Sequence, residues 1–378
     1  MSRQKVDNDM ITGLTSSKLT GAMPAIDASA LTGIGDGITK NASDPATNTN
    51  PSGGVGTLWL NTTDSNLFAC TDATTDENVW MNVGAGTGDV QLNYGFASGG
   101  EAPVTNAIER FNFASSSTNT DWGDLTVGRS TGTGSSSTTH GYGAAGQPAS
   151  SNGTVIDKFA LASQSNATDV GDCSGRDLVG GNYSTTDGYV VGGRSSGTQS
   201  TIQKFSFSSD GNASSVSTIN SGALYHIGQG SNSSTHGYSN GGRNSGNVSV
   251  NNIQKFQFSN ESTTAQHGNL IVSKRGCAGS SSSTDGYVSG GYSDSPQSTI
   301  EKYSFASNTT ATSHGSLSEI VYSAAASYTS DETVVTQGYG SGYTAAKQKF
   351  SFASNTTAED IGDLSTSAAH TMGHGLAR

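Results

Sequence analysis

A repeat with a period of just under fifty residues is the feature that most constrains how this chain folds. Its clearest copy, GYVSGGYSDSPQSTIEKYSF at residues 286–305, has close relatives at 188–207 and 237–258. Weaker copies lie at 94–113 and 141–161, and the last, at 333–352, has lost the leading Gly-Tyr. One glycine of each copy recurs 46 to 49 residues apart, at Gly100, Gly146, Gly193, Gly242, Gly291 and Gly338. A fixed period of this size predicts a repeat architecture.

The repeat also decides how the composition is interpreted. Of the 378 residues, 32% are hydrophobic and 13% are charged, and Gly, Ser, Thr and Asn dominate. Low hydrophobicity is typical of disordered chains, but such chains usually carry much charge and few aromatic residues. Here the aromatic residues recur in register with the repeat. Short strands joined by glycine-containing turns fit this pattern better, so we expect an all-β fold.

Charge and cysteine content narrow the classes of partner. The net charge of −12 argues against nucleic acid and anionic membranes, and the thinly spread basic residues form no cationic patch in the sequence. Cys70, Cys173 and Cys277 follow no metal-ligand spacing and are odd in number, which predicts free thiols. The polar first ten residues predict no secretory signal, and no apolar run is long enough for membrane insertion.

One repeat unit, residues 275–317, contains signals for four strands. We expect the first at Cys277–Ser282, a tight turn around the Asp285-Gly286 pair, and the second at Tyr287–Ser289. The third is predicted at Ile300–Phe305 and the fourth at roughly 310–317. Apolar residues on both faces of the third strand are typical of a sheet that packs between two others. Four strands per unit predict a propeller blade.

The two ends of the repeat region predict how it closes. The first unit begins at its second strand, at Tyr94, and the last is followed by AAHTMGHGLA at 368–377, which aligns with a first strand. We therefore expect the C-terminal strand to complete blade one of a six-bladed propeller spanning 94–378.

The N-terminal part divides into shorter segments. Residues 1–42 are predicted to be an extended arm that attaches and trimerises the chain, with a flexible tether as the alternative. Residues 43–55 and 85–93 are expected to be linkers. Residues 56–84 predict a three-stranded β-meander with Trp59 and Trp80 in its core, although tryptophans in such a module could instead stack on sugar.

Three stretches resemble known protein families. KLTGAMPAIDASALTGI at 18–34 resembles the shaft repeats of trimeric bacteriophage tail fibres, and GTLWLNT at 56–62 is similar to a small hairpin module of phage fibre proteins. The order of small-residue strand, turn, Gly-Tyr-x-x-Gly-Gly, loop and Ile-Glu-Lys-Tyr-x-Phe resembles the kelch repeat. It departs from kelch in the fourth strand, which lacks the usual tryptophan except at Trp122. These resemblances imply a kelch-like propeller in a homotrimeric virion protein, joined by its arm to other virion proteins.

The sequence carries no recognisable signature of catalysis. No Ser-His-Asp order, G-x-S-x-G elbow, phosphate-binding loop or metal-ligand cluster stands out, so we expect a non-enzymatic protein without cofactor or metal. Two alternatives stay open. The same propeller could be a tailspike-like glycan hydrolase whose two carboxylates meet across blades. It could also be an intracellular kelch-type adaptor, although nothing resembling a partner-recruiting domain precedes the repeats.

Receptor binding is the function that the loops favour. The loops between second and third strands vary most among the units, while the opposite turns are nearly uniform, and variable loops on a rigid scaffold commonly bind partners. We expect a host-surface receptor, a glycan or a protein, to contact the residues that directly follow the Gly pairs. The alternative is that these are ordinary solvated loop residues. These candidates are Arg194, Arg243, Tyr292 and Tyr339. The residues before the turn glycines are predicted only to form turns. They are His140, Asp187, His236 and Asp285.

Overall fold

In the part of the chain that this computed structural model describes, the regular secondary structure consists of β-strands. The described residues are 38–63, 67–82, 94–113, 119–148, 153–220, 222 and 224–375. No helix within them is long and apolar enough to cross a membrane. Most of the predicted arm, residues 1–37, and most of the second predicted linker lie outside the described residues. The chain divides into two compact units, 1–85 and 86–378.

The first unit contains one strand more than the sequence predicted. Its sheet has the order β1-β2-β3-β4. The strands are β1 (Ile38–Asn41), β2 (Leu58–Asn61), β3 (Leu67–Asp72) and β4 (Val79–Asn82). The extra strand β1 lies at the end of the predicted arm and pairs parallel to β2. The returning chain is held by Trp59, whose Nε1 donates a hydrogen bond to the Ser43 carbonyl at 2.9 Å. Trp59 also packs edge-on against Trp80 with ring centroids 5.9 Å apart, as expected for a core pair.

The second unit consists of sheets built mainly from four antiparallel strands, which we number in chain order. Sheet one contains β5 (Tyr94–Ser98), β6 (Ala107–Asn112) and β7 (Thr120–Asp124), and sheet two contains β8 (Thr133–Ser136), β9 (His140–Ala144), β10 (Val155–Ala160) and β11 (Thr168–Asp172). Sheet three contains β12 (Gly180–Tyr183), β13 (Asp187–Val191), β14 (Thr201–Ser206) and β15 (Ser214–Thr218).

The remaining sheets follow the same plan with short additions. Sheet four contains β18 (Ser231–Asn232), β19 (His236–Asn240), β21 (Asn252–Gln257) and β22 (Ala265–Asn269), preceded by the short strands β16 (Leu224–Tyr225) and β17 (Gly228–Gln229) and interrupted by β20 (Arg243–Asn244). Sheet five contains β23 (Ala278–Ser281), β24 (Asp285–Ser289), β25 (Gln297–Ser304) and β26 (Thr312–Val321). Sheet six contains β27 (Ala325–Tyr328), β28 (Glu332–Tyr339), β29 (Tyr343–Ser351) and β31 (Glu359–Ala368), and β30 (Thr356–Thr357) pairs with β26.

The last strand of the chain completes sheet one. Strand β32 (Met372–His374) pairs antiparallel with β5, so sheet one has the order β32-β5-β6-β7. The first strands of successive sheets also contact one another in series: β8 with β12, β12 with β18, β18 with β23, β23 with β27, β27 with β32, and β32 with β8. This arrangement is consistent with a β-propeller-like fold.

Apolar side chains fill the spaces between neighbouring sheets. One core cluster, for example, joins Tyr238 and Ile253 of sheet four to Val288 and Tyr303 of sheet five. Burial of each sheet on two sides explains the apolar residues on both faces of the third strands.

The glycine of the Gly-Tyr pair has a different role from the one predicted. The turn residues are Ser283 and Thr284, while Asp285 and Gly286 already belong to strand β24. A Cβ on Gly286 would lie 2.4 Å from Cζ of Tyr303 in the neighbouring strand. Equivalent contacts pair Gly95 with Phe111, Gly141 with Phe159, Gly188 with Phe205 and Gly237 with Phe256. The glycine is therefore required because an aromatic ring of the third strand lies over it, and not because of turn geometry.

In sheets two and five, an acidic residue of the third strand ties the sheet to the preceding one. In sheet five, Glu301 accepts a hydrogen bond from the Ile271 backbone N–H at 2.6 Å and forms an ion pair with Lys274 at 2.9 Å. In sheet two, Asp157 accepts one from the Thr126 hydroxyl and pairs with Arg129 at 2.9 Å. Both ion pairs are fully buried. Removing one member would leave a buried, uncompensated charge, which typically costs about 3–5 kcal/mol.

Candidate functional site

All four site residues predicted from the sequence take part in backbone β-bridges on one side of the sheets. The residue after each Gly pair bridges to the residue that shortly precedes a first strand. The pairs are Glu101 with Ala369, Ser130 with Gln147, Asp177 with Arg194, Tyr225 with Arg243, Arg275 with Tyr292, and Tyr322 with Tyr339. We call the surface formed by these bridges and the adjoining loops the loop face. Arg194, Arg243, Tyr292 and Tyr339 thus occupy equivalent positions on it.

Arg194 is engaged within the protein. Its Nη2 donates to Asp177 Oδ2 at 2.9 Å, and its Nε donates to Oδ1 of the same carboxylate at 3.3 Å. The hydrogen bond from Asp177 raises the pKa of the Arg194 guanidinium. The Asp177 side chain is buried while that of Arg194 is 48% exposed. Arg194 therefore serves the scaffold on one side and offers its outer surface to a ligand on the other.

Arg243 and Tyr292 line one open groove with Arg275, which the sequence reasoning missed. The groove has a volume of about 630 Å³, and Ser249 and Asp294 also line it. The Arg275 guanidinium lies 4.2 Å from the centre of the Tyr292 ring, and its Nη1 donates to Ser249 Oγ at 3.3 Å. Burial, and then the charge of Arg243, lower the pKa of Arg275.

Four tyrosines form a continuous aromatic run across the loop face. Tyr292 packs edge-on against Tyr322 at 5.2 Å, Tyr322 against Tyr339 at 5.6 Å, and Tyr339 against Tyr343 at 5.1 Å between ring centroids. Tyr343 is 41% exposed and lines a second open groove of about 480 Å³. Tyr292 and Tyr339 are thus brought together through Tyr322, and the Arg194 guanidinium lies 5.9 Å from the centre of the Tyr225 ring.

A closed circuit of backbone hydrogen bonds lies beside the bridges. Its six residues all have left-handed backbone geometry with φ from 52° to 62°: Thr131, Leu178, His226, Gly276, Ser323 and His370. Along the circuit, the backbone N–H of each residue donates a hydrogen bond to the carbonyl of the preceding member, beginning with His226 N–H to the Leu178 carbonyl at 2.6 Å and ending with Thr131 N–H to the His370 carbonyl. The Val179 N–H donates to the Thr131 carbonyl at 3.3 Å and closes the circuit. A cavity of about 30 Å³ lies against these residues, room for one or two water molecules.

Two histidines of this circuit are coupled to the loop face. The rings of His226 and His370 lie 5.3 Å apart, and His370 Nδ1 is 2.8 Å from Glu101 Oε1. The hydrogen bond to His370 lowers the pKa of Glu101. Burial, followed by the charge of His370 and of nearby arginines, holds the pKa of His226 well below its usual value.

These contacts correct the expectation that the chain has no cationic patch. Arg194, Arg243 and Arg275 are all close enough to lower the pKa of His226, although they are far apart in the sequence. Arg275, Tyr322, His226 and His370 escaped the sequence reasoning because it examined only the residues after the Gly pairs. Their signal was available in the repeat alignment, as the two positions just before each small-residue first strand.

The opposite side of the sheets, which we call the turn face, is uniform. Asp187 and Asp285 each accept a hydrogen bond from the preceding threonine hydroxyl, at 2.6 and 2.7 Å. His140 and His236 each lie 2.8 Å from the preceding threonine through Nδ1. All four residues begin second strands and do not lie in the turns themselves, and their contacts here are local to the adjoining turn.

Metal and thiol chemistry find little support in the described residues. No group of three or more His, Cys, Asp or Glu side chains among them is placed to hold a metal ion. Cys70, Cys173 and Cys277 are free and buried, and burial raises the pKa of Cys277 to about 11. The loop face instead offers tyrosine rings, guanidinium groups and open grooves, which suit non-covalent recognition.

Comparison with models of known protein families gives no match to this chain, and no curated protein is significantly similar to it in sequence.

Proposed function

We propose that this chain is a virion fibre or surface protein that binds a host-surface receptor, a glycan above all, through its loop face. The observation that carries the proposal is the run of Tyr292, Tyr322, Tyr339 and Tyr343 beside the arginines of the loop face. Aromatic rings and guanidinium groups supply large, stiff contact surfaces with few conformational freedoms to lose, which is why they dominate binding sites.

In this proposal the repeats form a six-bladed, kelch-like propeller that presents the loop face. The cyclic series of contacts between first strands and the closed hydrogen-bond circuit support six blades in a ring. A ring leaves few free strand edges, which suits a protein that must stay soluble while exposed on a particle.

The arm carries the assembly part of the proposal. Residues 1–42 attach the chain to other virion proteins and trimerise it, because their apolar residues are too sparse to form a core in one copy. Three loop faces on one particle would multiply weak contacts into strong adsorption. Analytical ultracentrifugation tests this: the full chain should sediment as a trimer, and residues 38–378, which keep strand β1, as a folded monomer. A monomeric full chain would reduce the arm to a tether.

Adsorption to host cells tests the binding proposal. Replacing Arg194, Arg243, Tyr292 and Tyr339 together by Ala should lower adsorption at least 10-fold while circular dichroism still reports the folded β-structure. The melting temperature should fall, because the loss of Arg194 leaves the buried Asp177 carboxylate without its partner. The matched control replaces Asp187 and Asp285 on the turn face by Asn and should leave adsorption unchanged. The reverse result would place the receptor site on the turn face.

Incubation with host polysaccharide separates binding from hydrolysis. A binding protein leaves the length distribution of the polysaccharide unchanged. Shortened chains would instead establish the tailspike-like hydrolase.

A further inference from the structure

We propose that the groove between Arg243 and Arg275 binds an anionic substituent of a saccharide, the carboxylate of an acidic sugar or a phosphate ester. This inference deepens the proposed function and rests on it. It specifies which chemical class of glycan the loop face selects, and which two side chains read the negative charge.

The first support is that Arg243 has no side-chain partner among the described residues. Every other described arginine has one. Arg129 and Arg194 pair with carboxylates, Arg176 donates to two backbone carbonyls, Arg110 lies against two aromatic rings, and Arg275 stacks on Tyr292. Within the described residues, the Arg243 guanidinium makes no hydrogen bond, ion pair or ring contact, and its Nε is buried. A partly buried guanidinium without a counter-charge is unfavourable unless a ligand supplies one.

The second support is that Arg275 adds to the same unbalanced charge. Among the described residues Arg275 has no ion pair with a carboxylate, and its side chain donates to a neutral hydroxyl, Ser249 Oγ. The two arginines face one groove, and the charge of Arg243 disfavours that of Arg275. Asp294 is the one carboxylate among the described residues that line the groove, and it forms an ion pair with neither arginine. In a chain of net charge −12, such an unpaired pair of cations marks a place for an anion.

The shape and lining of the groove favour a sugar over another polyanion. A guanidinium fork matches a carboxylate or phosphate group with two parallel hydrogen bonds. Tyr292 adds a ring beside Arg275, and Asn247 and Ser249 add groups able to bond hydroxyls. Nucleic acid would need a long track of cations to match its phosphates. The loop face offers a short cluster within an acidic protein, so a single anionic substituent fits better.

Titration calorimetry of the full chain tests the inference directly. The probes are oligosaccharides that end in glucuronic, galacturonic or N-acetylneuraminic acid, each beside its carboxyl-reduced counterpart. Sugar phosphates are measured beside their dephosphorylated forms, and single-stranded DNA is measured as a polyanion. We expect at least one acidic saccharide to bind at least 10-fold more tightly than its neutral counterpart, and more tightly than DNA.

Variants then assign the charge reading to the two arginines. Arg243→Gln and Arg275→Gln should each weaken binding of the acidic saccharide about 10- to 100-fold and leave the neutral counterpart little changed. Lys255→Gln removes the same charge from a strand outside the groove and should have no effect, and Asp294→Asn should strengthen binding.

Three results would overturn the inference. Equal binding of acidic and neutral forms would remove the role of charge, and this result alone would leave glycan binding by the loop face intact. Tighter binding of DNA would replace the saccharide with nucleic acid. Unchanged affinity in both arginine variants, with the Tyr and Arg Ala variant still failing to adsorb, would place the anion elsewhere on the loop face.

Discussion

The turn face and the loop face belong to the same strands, yet they are built by different rules. On the turn face, five turns each contain the same backbone hydrogen bond, 2.9 Å long. The N–H of the first residue donates to the carbonyl of the residue three positions later in the sequence. In the four that begin with serine, its hydroxyl accepts the returning N–H at 3.0 Å. Side chains and backbone repeat together there.

On the loop face, only the backbone repeats. Each bridge keeps the same pairing, but the side chains that meet include Asp with Arg, Arg with Tyr, and Tyr with Tyr. Chemistry can vary at these positions because the backbone bridge, and not the side chain, holds the strands together. The comparison teaches that, within single strands, side chains support the structure at one end and are free to vary at the other.

The largest expected effect tests the scaffold that both faces share. Deleting residues 368–378 removes β32 and the last residue of β31, so β5 loses its pairing partner on one edge and β27 loses its packing contact with β32. We expect aggregation or a fall in melting temperature of at least about 10 °C, because exposed strand edges and lost packing remove several kcal/mol. A truncated protein that is soluble and melts like the full chain would show that the faces do not depend on this closure.

The next effect compares the same substitution on the two faces. Gly188→Ala and Gly286→Ala would place a Cβ 2.3 Å from the ring of Phe205 and 2.4 Å from that of Tyr303. Such overpacking costs roughly 1–3 kcal/mol per site, and the two sites are distant enough to add. Chemical denaturation of the double variant should therefore show a loss of roughly 2–6 kcal/mol.

Its control makes the matching change on the loop face. A Cβ on Gly197 or Gly342 would meet no atom within 4 Å, and neither glycine has a positive φ. Replacing both by Ala should change stability by no more than about 0.5–1 kcal/mol, in the stabilising direction. Equal losses in the two double variants would remove the distinction between the faces.

Acid should weaken the protein through a buried histidine and spare the turn face. Burial lowers the pKa of His374 to about 4, against about 6.5 in the unfolded chain. Below pH 6.5 the unfolded state binds the proton and the folded state does not, so stability is full above pH 6.5 and is lost as the pH falls. His374 should account for about 2 kcal/mol of lost stability at pH 5.

Chemical denaturation at pH 7 and pH 5 measures how much the protonation of His374 contributes to the loss of stability. His374→Gln should reduce the loss of stability between pH 7 and pH 5 by about 2 kcal/mol, whatever it does to stability at pH 7. The loss due to His226, whose pKa burial also lowers, should remain, and His236→Gln on the partly exposed turn face should reduce the loss less than His374→Gln does. A His374→Gln slope identical to that of wild type would place the acid-sensitive group elsewhere.

The smallest expected effect concerns the carboxylates of the turn face. Asp285 lies 3.3 Å from Lys302 in a partly exposed ion pair, and such pairs contribute about 0–1 kcal/mol. Asp285→Asn should therefore change the unfolding free energy by less than about 1 kcal/mol. A loss above 2 kcal/mol in denaturant titration would mean that this turn carries more than local geometry.

Local pattern predicted the strands well and the contacts between sheets poorly. The predicted first strand at Cys277–Ser282 lies within a residue of β23, because turn residues and small side chains bound it in the sequence itself. The ion pair of Glu301 with Lys274 joins two sheets, and nothing in IEKYSF shows that this glutamate is buried. Gly286 was assigned to a turn because its aromatic neighbour Tyr303 lies on another strand.

Only one side of the bridges that form the candidate site was predicted, for the same reason. The alignment of repeats identified the column that contains Tyr292 and Tyr339, but it could not show that Arg275 and Tyr322 lie opposite them. Strand β1 was missed because its parallel partner lies across a long loop and leaves no local signal.

The pairing of β32 with β5 also sets an order of events during synthesis. Sheets two to six recruit their four main strands from neighbouring stretches of chain, so a nascent polypeptide can assemble them as it lengthens. Sheet one cannot, because Ser98 and His374 lie 276 positions apart in the sequence. Contacts of such long range form slowly, and until they do β5 presents an open edge to other chains on crowded polysomes. The pairing of β32 with β5 thus ends the most aggregation-prone interval in the folding of this unit.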